Sequence, residues 1–446
     1  MSRPIAPFTL GRLEVGREDR PFEMYSMGSL SGLVAGMCLL TTTMATAAPL
    51  ASTPNLGVCS SVQRLGPIDP GGSDEFGSHV AIEGNVAVVG AAFANEFEGA
   101  AYVFEQSNTG WTQRAKLVAS DPSFLAEFGE NVRISQDTIL IGAPGDRDGI
   151  GAMYVFRRIG SGNTTWVEDA TLTASDPMAG SFFADSIALG SNIAVAGADL
   201  GSVPGFGATG TAYVFRRVGG AWTQEEKLVA GDLTLGAGFG SGSAVTAKGD
   251  LIAIGAGSAP SGTTVPGAVY FFRRARGAWT QQQKFVPNGA PDGEFFGDSN
   301  LNFGGSKILL VGAIFGVGPS GVQTGAAYVL RQSGDQWLQD ARLTPADTTA
   351  RFFGTRLGIS GSTIVVGAPF TEDFTNPEGG AAYVFHRDNA AGWTQRAKLK
   401  AFDSMPFDNF GGYVAIDGST ILIGAEDQDA LSGTDEGAAY VYTDCR

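Results

Sequence analysis

A seven-fold internal repeat constrains this chain more than any other feature. Phe followed by a small residue recurs at Phe76-Gly77, Phe128-Gly129, Phe183-Ala184, Phe239-Gly240, Phe296-Gly297, Phe353-Gly354 and Phe410-Gly411, at intervals of 52 to 57 residues. A Gly-Ala pair follows each Phe by 14 to 16 residues, from Gly90-Ala91 to Gly424-Ala425. A glycine-led aromatic run comes next, GAAYVF at Gly99–Phe104 in the first copy and GAAYVY at Gly437–Tyr442 in the last. Copies one to six then carry one Trp each (Trp111, Trp166, Trp222, Trp279, Trp337, Trp393), with an apolar residue six positions later.

Each unit thus holds four short β-branched or aromatic runs with period-two alternation, separated by turn residues. No amphipathic helical period occurs. Four strands per unit, seven times over, predict an all-β fold: a seven-bladed β-propeller of four-stranded antiparallel blades. We name the strands a (after Phe-Gly), b (ending at Gly-Ala), c (the AYVF run) and d (the Trp strand). A Trp that recurs blade after blade serves the blade rather than a ligand.

The seventh copy reaches strand c, and no Trp strand follows it. Its counterpart stands at the other end: CSSVQRLGPIDPGGSDEFG aligns with WTQRAKLVASDPSFLAEFG, placing Leu65 on Leu117 and Phe76 on Phe128. The N-terminal strand is therefore expected to complete the last blade, which removes an open sheet edge. Cys59 takes the place that Trp holds elsewhere, and Cys445 lies just beyond strand c of the same blade. Antiparallel neighbours bring the end of c to the start of d, so a Cys59–Cys445 disulfide is expected; two free buried thiols are the alternative. Such a bridge closes nearly the whole chain, worth roughly 4–5 kcal/mol in the chain-entropy account, and implies an oxidising compartment.

Residues 1–47 read as an export signal with an over-long N-terminal extension, 48–58 as a short linker and 59–446 as the propeller. The apolar core Leu30–Leu40 precedes Ala45-Thr46-Ala47, a small-residue cleavage pattern. An apolar core of about 7–15 residues suits a signal peptide, whereas a spanning helix needs roughly 20; an uncleaved anchor is the alternative. The expected location is secreted, extracellular or periplasmic, with no membrane span in the mature chain. The 65 glycines follow no collagen period, and a net charge of −16 argues against nucleic-acid binding.

Phe-Gly followed by Gly-Ala-Pro resembles the FG-GAP repeat family, the unit of the integrin α-chain propeller and of many exported bacterial proteins. The resemblance covers Cys59 to Arg446. It implies a propeller that binds partners, often at a cell surface, and calcium in some members. Those members place an Asp-rich loop between Phe-Gly and Gly-Ala-Pro, where this chain has only short turns such as Glu83-Gly84-Asn85 and Asp417-Gly418-Ser419. These lack the oxygen ligands calcium wants. No cofactor is expected; calcium stays open, with Asp146 and Asp148 in GDRDG as weak candidate ligands in a different loop and a plain solvated turn as the alternative.

Alternating strand direction puts the b–c and d–a loops on one face of the disc. The b–c loops vary most in length and sequence, as binding loops on a rigid scaffold do. They carry Glu96, Glu98, Asp146, Asp148, Asp199, Glu372, Asp373, Glu426, Asp427, Asp429, Asp435 and Glu436, while arginines such as Arg158, Arg217, Arg274 and Arg387 fall on the opposite face. The expectation is a polarised disc; plain solubility is the alternative. Asp69, Asp121, Asp176, Asp232, Asp347 and Asp403 recur four residues after the apolar residue of strand d, which suits turn capping.

The two histidines, His79 and His386, lie on different blades, which disfavours Ser/His/Asp catalysis and histidine metal sites. GFGATG at Gly205–Gly210 precedes a strand, so it lacks the context of a dinucleotide loop. Asn163-Thr164-Thr165 is a glycosylation sequon only in a eukaryotic secretory route. The chain is read as a non-enzymatic monomeric binding or adhesion module for a protein or glycan, with the acidic loop residues as its site. A carbohydrate-acting hydrolase or lyase and a structural envelope component are the alternatives.

Overall fold

The computed structural model describes residues 58–445 except 161–164, 204–206, 233–236, 258–266, 291–292, 372–378, 389–391 and 429–435. The expected leader, the linker up to Gly57 and the Asn163 sequon lie outside the described residues. Seven four-stranded antiparallel sheets form a seven-bladed propeller. Blade 1 runs through Phe76–Glu83, Val86–Ala91, Ala100–Ser107 and Gly110–Leu117 as strands a to d. Blade 7 takes Tyr413–Asp417, Thr420–Ala425 and Ala438–Thr443 from the end of the chain and Ser61–Leu65 from its start. The closing pair is antiparallel from Ser61↔Thr443 to Leu65↔Ala439, and Cys59 is bonded to Cys445. Two four-residue helical turns, Ala94–Phe97 and Asp146–Gly149, sit in b–c loops. Among the described residues no helix is long and apolar enough to cross a membrane.

The strands read as their burial demands. Strand b of blade 1, VAVVGA, is buried on both faces and is apolar throughout. Strand d, GWTQRAKL, is buried chiefly at Trp111 and Leu117, and its other residues meet solvent at the rim. The repeated Phe is fully buried against the aromatic pair of strand c. Phe76 meets Tyr102 at 5.4 Å and Phe104 at 6.0 Å, edge to face, and Phe410 meets Tyr440 at 5.4 Å in the same way.

Packing is between blades rather than within them. The cluster holding Val88, Val103 and Leu117 of blade 1 also holds Phe128, Ile141 and Tyr154 of blade 2. The cluster of Leu65, Leu422 and Val441 of blade 7 also holds Phe76, Val89 and Tyr102 of blade 1. Strand d's Trp works at the same seam: Trp337 of blade 5 stacks on Phe271 of blade 4 at 4.8 Å.

The signature glycines explain themselves at these seams. A Cβ on Gly90 would overlap the carbonyl oxygen of Gly129 in the next blade, and one on Gly99 would overlap that of Phe128. Gly129 itself sits at φ +104, against the carbonyl of Ala100. Bare backbone meets bare backbone, so all three glycines of this seam are steric necessities. Blade 3 carries Ala184 in place of the Phe-Gly glycine and keeps the positive φ of 72.

Gly90→Ala should therefore destabilise the protein by about 1–3 kcal/mol through overpacking. Gly66→Ala, where an added Cβ meets nothing within 4 Å, is the control. Denaturant midpoints of the two variants check this; equal midpoints would refute the seam argument.

Candidate binding face

The d–a loops lead from the outer strand of one blade to the inner strand of the next, so they lock neighbours together. Their recurring Asp accepts an ion pair from the lysine on strand d of the following blade: Asp69–Lys116 at 2.7 Å, Asp176–Lys227 at 2.7 Å and Asp232–Lys284 at 2.6 Å. The strand-c tyrosine joins in, as Tyr440 donates to Asp403 at 2.6 Å. Turn capping, the role expected from sequence, is seen at Asp347, which accepts from the Thr349 and Ala350 amides at 3.1 and 3.3 Å. Elsewhere the repeated role is this bond between blades. Burial raises the pKa of Asp176 and Asp232, but the hydrogen bonds from lysine and tyrosine outweigh it and hold both below the ordinary value.

The expected site residues separate into groups. Glu96 and Asp148 are exposed on left-handed turn positions, φ 59 and 61, and Glu98 is half-buried. Asp146 is fully buried; it accepts from Ser123 Oγ at 2.6 Å and Tyr154 OH at 3.3 Å, and pairs with Arg147 at 3.3 Å. It holds its own loop. Asp427 is half-buried and accepts from Asn409 Nδ2, and Glu436 is half-buried beside the start of strand a in blade 1. Glu372, Asp373, Asp429 and Asp435 lie outside the described residues. Among the described residues no three His, Cys, Asp or Glu side chains are grouped to hold a metal ion.

Sequence reading missed four carboxylates at the inner end of the loops and had already placed a fifth, Glu426, on this face. Glu75 and Glu127 precede the Phe of blades 1 and 2, Glu130 and Asp185 follow it in blades 2 and 3, and Glu426 follows Gly-Ala in blade 7. Burial raises Glu130 well above its ordinary value, and repulsion from Glu127, Glu426, Glu75 and Asp185 adds to it. Burial and Asp185 push Glu127 to about 7, burial and Asp199 push Asp185 to about 6, and burial and Asp427 push Glu426 to about 8. The available signal was the residue before each Phe-Gly. Glu75, Glu127, Phe182, Phe295, Phe352 and Asn409 stand there at φ 51 to 56, a strained left-handed rim at the inner end of the loops.

Aromatic side chains fill the rest of this face. Phe295, Phe315, Phe352 and Phe370 run edge to face at 5.1, 5.5 and 5.5 Å. Phe93, Phe97 and Phe124 form a second run at 5.6 and 6.1 Å, with Phe124 70% exposed. The opposite face is not the basic surface expected from sequence. Its arginines are tied across the seams: Arg158 to Glu105 at 3.0 Å, Arg217 to Asp169 at 3.4 Å, Arg274 to Glu225 at 2.6 Å and Arg387 to Asp340 at 3.6 Å. The strand-c and strand-d carboxylates neutralise them, so the polarised disc is corrected to one acidic–aromatic face and one charge-paired face.

The family model described as FG-GAP repeat matches residues 59–104, 111–156, 166–215, 222–272, 337–385 and 393–442. The chain belongs to the FG-GAP repeat family. Each matched stretch begins at strand d and runs through strand c of the next blade, so the family unit straddles a seam. The corresponding stretch from Trp279 to Leu330 falls outside the matches. There blade 5 has two more residues between Phe296 and Gly312 than blade 1 has between Phe76 and Gly90, yet it builds the same sheet. No curated protein matches this chain. Among solved structures, Chaetomium thermophilum Sqt1, crystallised bound to the N-terminus of the ribosomal protein L10, is similar at 13% identity over 80% of this chain and 84% of that one, with a TM-score of 0.45.

The raised carboxylates set a pH dependence. Glu426 and Glu127 keep protons in the folded state that the unfolded chain has already lost, so stability falls as pH rises toward their folded pKa values. His79, lowered by burial and by Arg133 and Arg356, acts in the opposite sense but only below its unfolded pKa of about 6.5. Between about pH 6.5 and 8 the fall is therefore clean, and Glu426→Gln should flatten it. Denaturant melts at pH 6.5, 7.2 and 8 check this; a wild-type stability that rises across the range would contradict it.

Proposed function

We propose that this FG-GAP propeller is a secreted or cell-surface binding module that recognises a protein or glycan through the b–c and d–a loops. The observation that carries the reading is the concentration of exposed apolar side chains at that end. Phe97 (40% exposed), Phe124 (70%), Leu125 (45%), Met405 (42%) and Phe407 (42%) all lie on b–c or d–a loops. Apolar patches ringed by carboxylates mark interaction surfaces rather than plain solubility. Aromatic faces suit both sugar rings and the apolar anchors of a protein partner. The disulfide favours an oxidising compartment. Screening the full-length chain against glycan and extracellular-protein arrays, beside a Phe97→Ser/Phe124→Ser variant, tests it. The expected result is a ligand retained by the wild type and bound at least about tenfold more weakly by the variant. Equal binding would move the site off this face, and no ligand on either array would favour a structural role.

Glu127 supports a second reading, a carbohydrate-acting hydrolase or lyase. A half-buried carboxyl pushed to about 7 has the proton a general acid needs. Activity on a glycan panel should then decline as pH rises through about 7 and vanish in Glu127→Gln. Hydrolysis that persists in that variant would sink it.

A further inference from the structure

Two arginines stand on or beside the inner strands of blades 2 and 6. Arg133 belongs to Asn131–Ser135 of blade 2 and Arg356 precedes Leu357–Ser360 of blade 6. They are joined around one aromatic ring. Arg356 lies over Tyr413 at 4.4 Å, His79 packs on the same ring at 4.9 Å, and Arg133 Nη1 donates to His79 Nε2 at 2.9 Å. Four contiguous blades, 6, 7, 1 and 2, thus contribute to one cluster.

Neither guanidinium has a carboxylate within 4.0 Å among the described residues. That sets them apart from Arg158, Arg217, Arg274 and Arg387 on the opposite face. Their hydrogen bonds go to backbone oxygens or to His79: Arg133 to Val132 O at 2.9 Å, Arg356 to Thr355 O at 3.0 Å and Ser299 O at 3.4 Å. Arg356 is 8% exposed, and its Nε is buried with no acceptor at all. Two like charges around one ring, neither in a direct ion pair and one with an orphaned buried donor, is an arrangement that an anion resolves.

The inner-strand residues in register with Arg133 include Ala81, Ala188, Gly358 and Ala415, facing Val88, Val195, Val365 and Leu422 of their own b strands. Ala81, Ala188 and Ala415 pack into the seam clusters, so Arg133 is the one long side chain among these positions. We propose that Arg133 and Arg356 form a binding site for a small oxyanion on the propeller axis, with Arg356 Nε as one donor. Guanidinium forks suit a phosphate, a sulfate or a carboxylate alike.

Thermal melts of the full-length chain in phosphate, sulfate and acetate test this, with chloride at matched ionic strength as the baseline. Wild type should show a saturable rise in Tm with at least one of the three, as a ligand of the folded state must. The arm that responds identifies the oxyanion. Arg133→Gln and Arg356→Gln should each weaken the response about ten- to a hundredfold, the loss of a charge-assisted bond. Both should keep their stability in chloride, because each relieves a like-charge contact. Should either fail to fold, Arg133→Lys keeps the charge but loses the fork, and it should still bind measurably more weakly. A rise without saturation, or one equal in wild type and variants, is general salt exclusion and overturns the site. So does calorimetry showing no saturable binding to the wild type.

Discussion

No blade of this propeller can cover its own faces, and the rest of the structure follows from that. Each apolar cluster is shared by two neighbours, so a blade without its neighbours would leave both faces in water. The seam closes tightly because the signature glycines, three in every blade but the third, let carbonyls approach where a Cβ would collide. Phe-Gly, Gly-Ala and the glycine before AYVF are thus parts of one contact. That is why the family signature is spread over a whole blade, and why the matched unit begins at strand d rather than strand a.

A ring of shared cores has no natural end, so closure matters more here than in an open sheet. The N-terminal strand Ser61–Leu65 supplies the outer edge of blade 7, and its five residue pairs with strand c are backed by the Cys59–Cys445 bond. Cysteine replaces Trp at the one place where the seam joins the two ends of the chain. Both sulfurs sit in the cluster between blades 6 and 7. The covalent link therefore doubles as packing, filling the site that an indole fills in the other blades.

What repeats was legible in the sequence, and what does not repeat was not. Strand order, blade count, ring closure and the disulfide all came from aligning seven copies, because a shared physical need leaves the same residue type each time. The recurring Asp was visible too, but its partner was not. Lys116 is on the next blade, 47 residues from Asp69, and a lone turn residue invites a local reading. Asp146 shows the same limit: GDRDG looks solvated on paper, yet Tyr154 and Ser123 enclose its carboxylate. The axial groups were hidden for the opposite reason. His79, Asn131, Ser186, Arg356 and Tyr413 share one structural position and no chemistry, so alignment averages them away.

The same contrast separates scaffold from function. At the seams the recurring charges pair: Asp69, Asp176 and Asp232 with lysines on one face, and Arg158, Arg217, Arg274 and Arg387 with glutamate or aspartate on the other. Along the axis the pairing stops, with carboxylates held above their ordinary pKa at the loop end and Arg133 drawn down to about 10 by burial and by Arg356. A ring needs no charge at its centre; alanine and glycine serve there in several blades. Desolvated groups of like sign raise the energy of the folded state, and selection for stability alone would replace them with the small residues their neighbours already use. Their presence on the innermost strands, beside residues such as Tyr413 that do serve the seams, is what marks these positions as shaped by something other than folding.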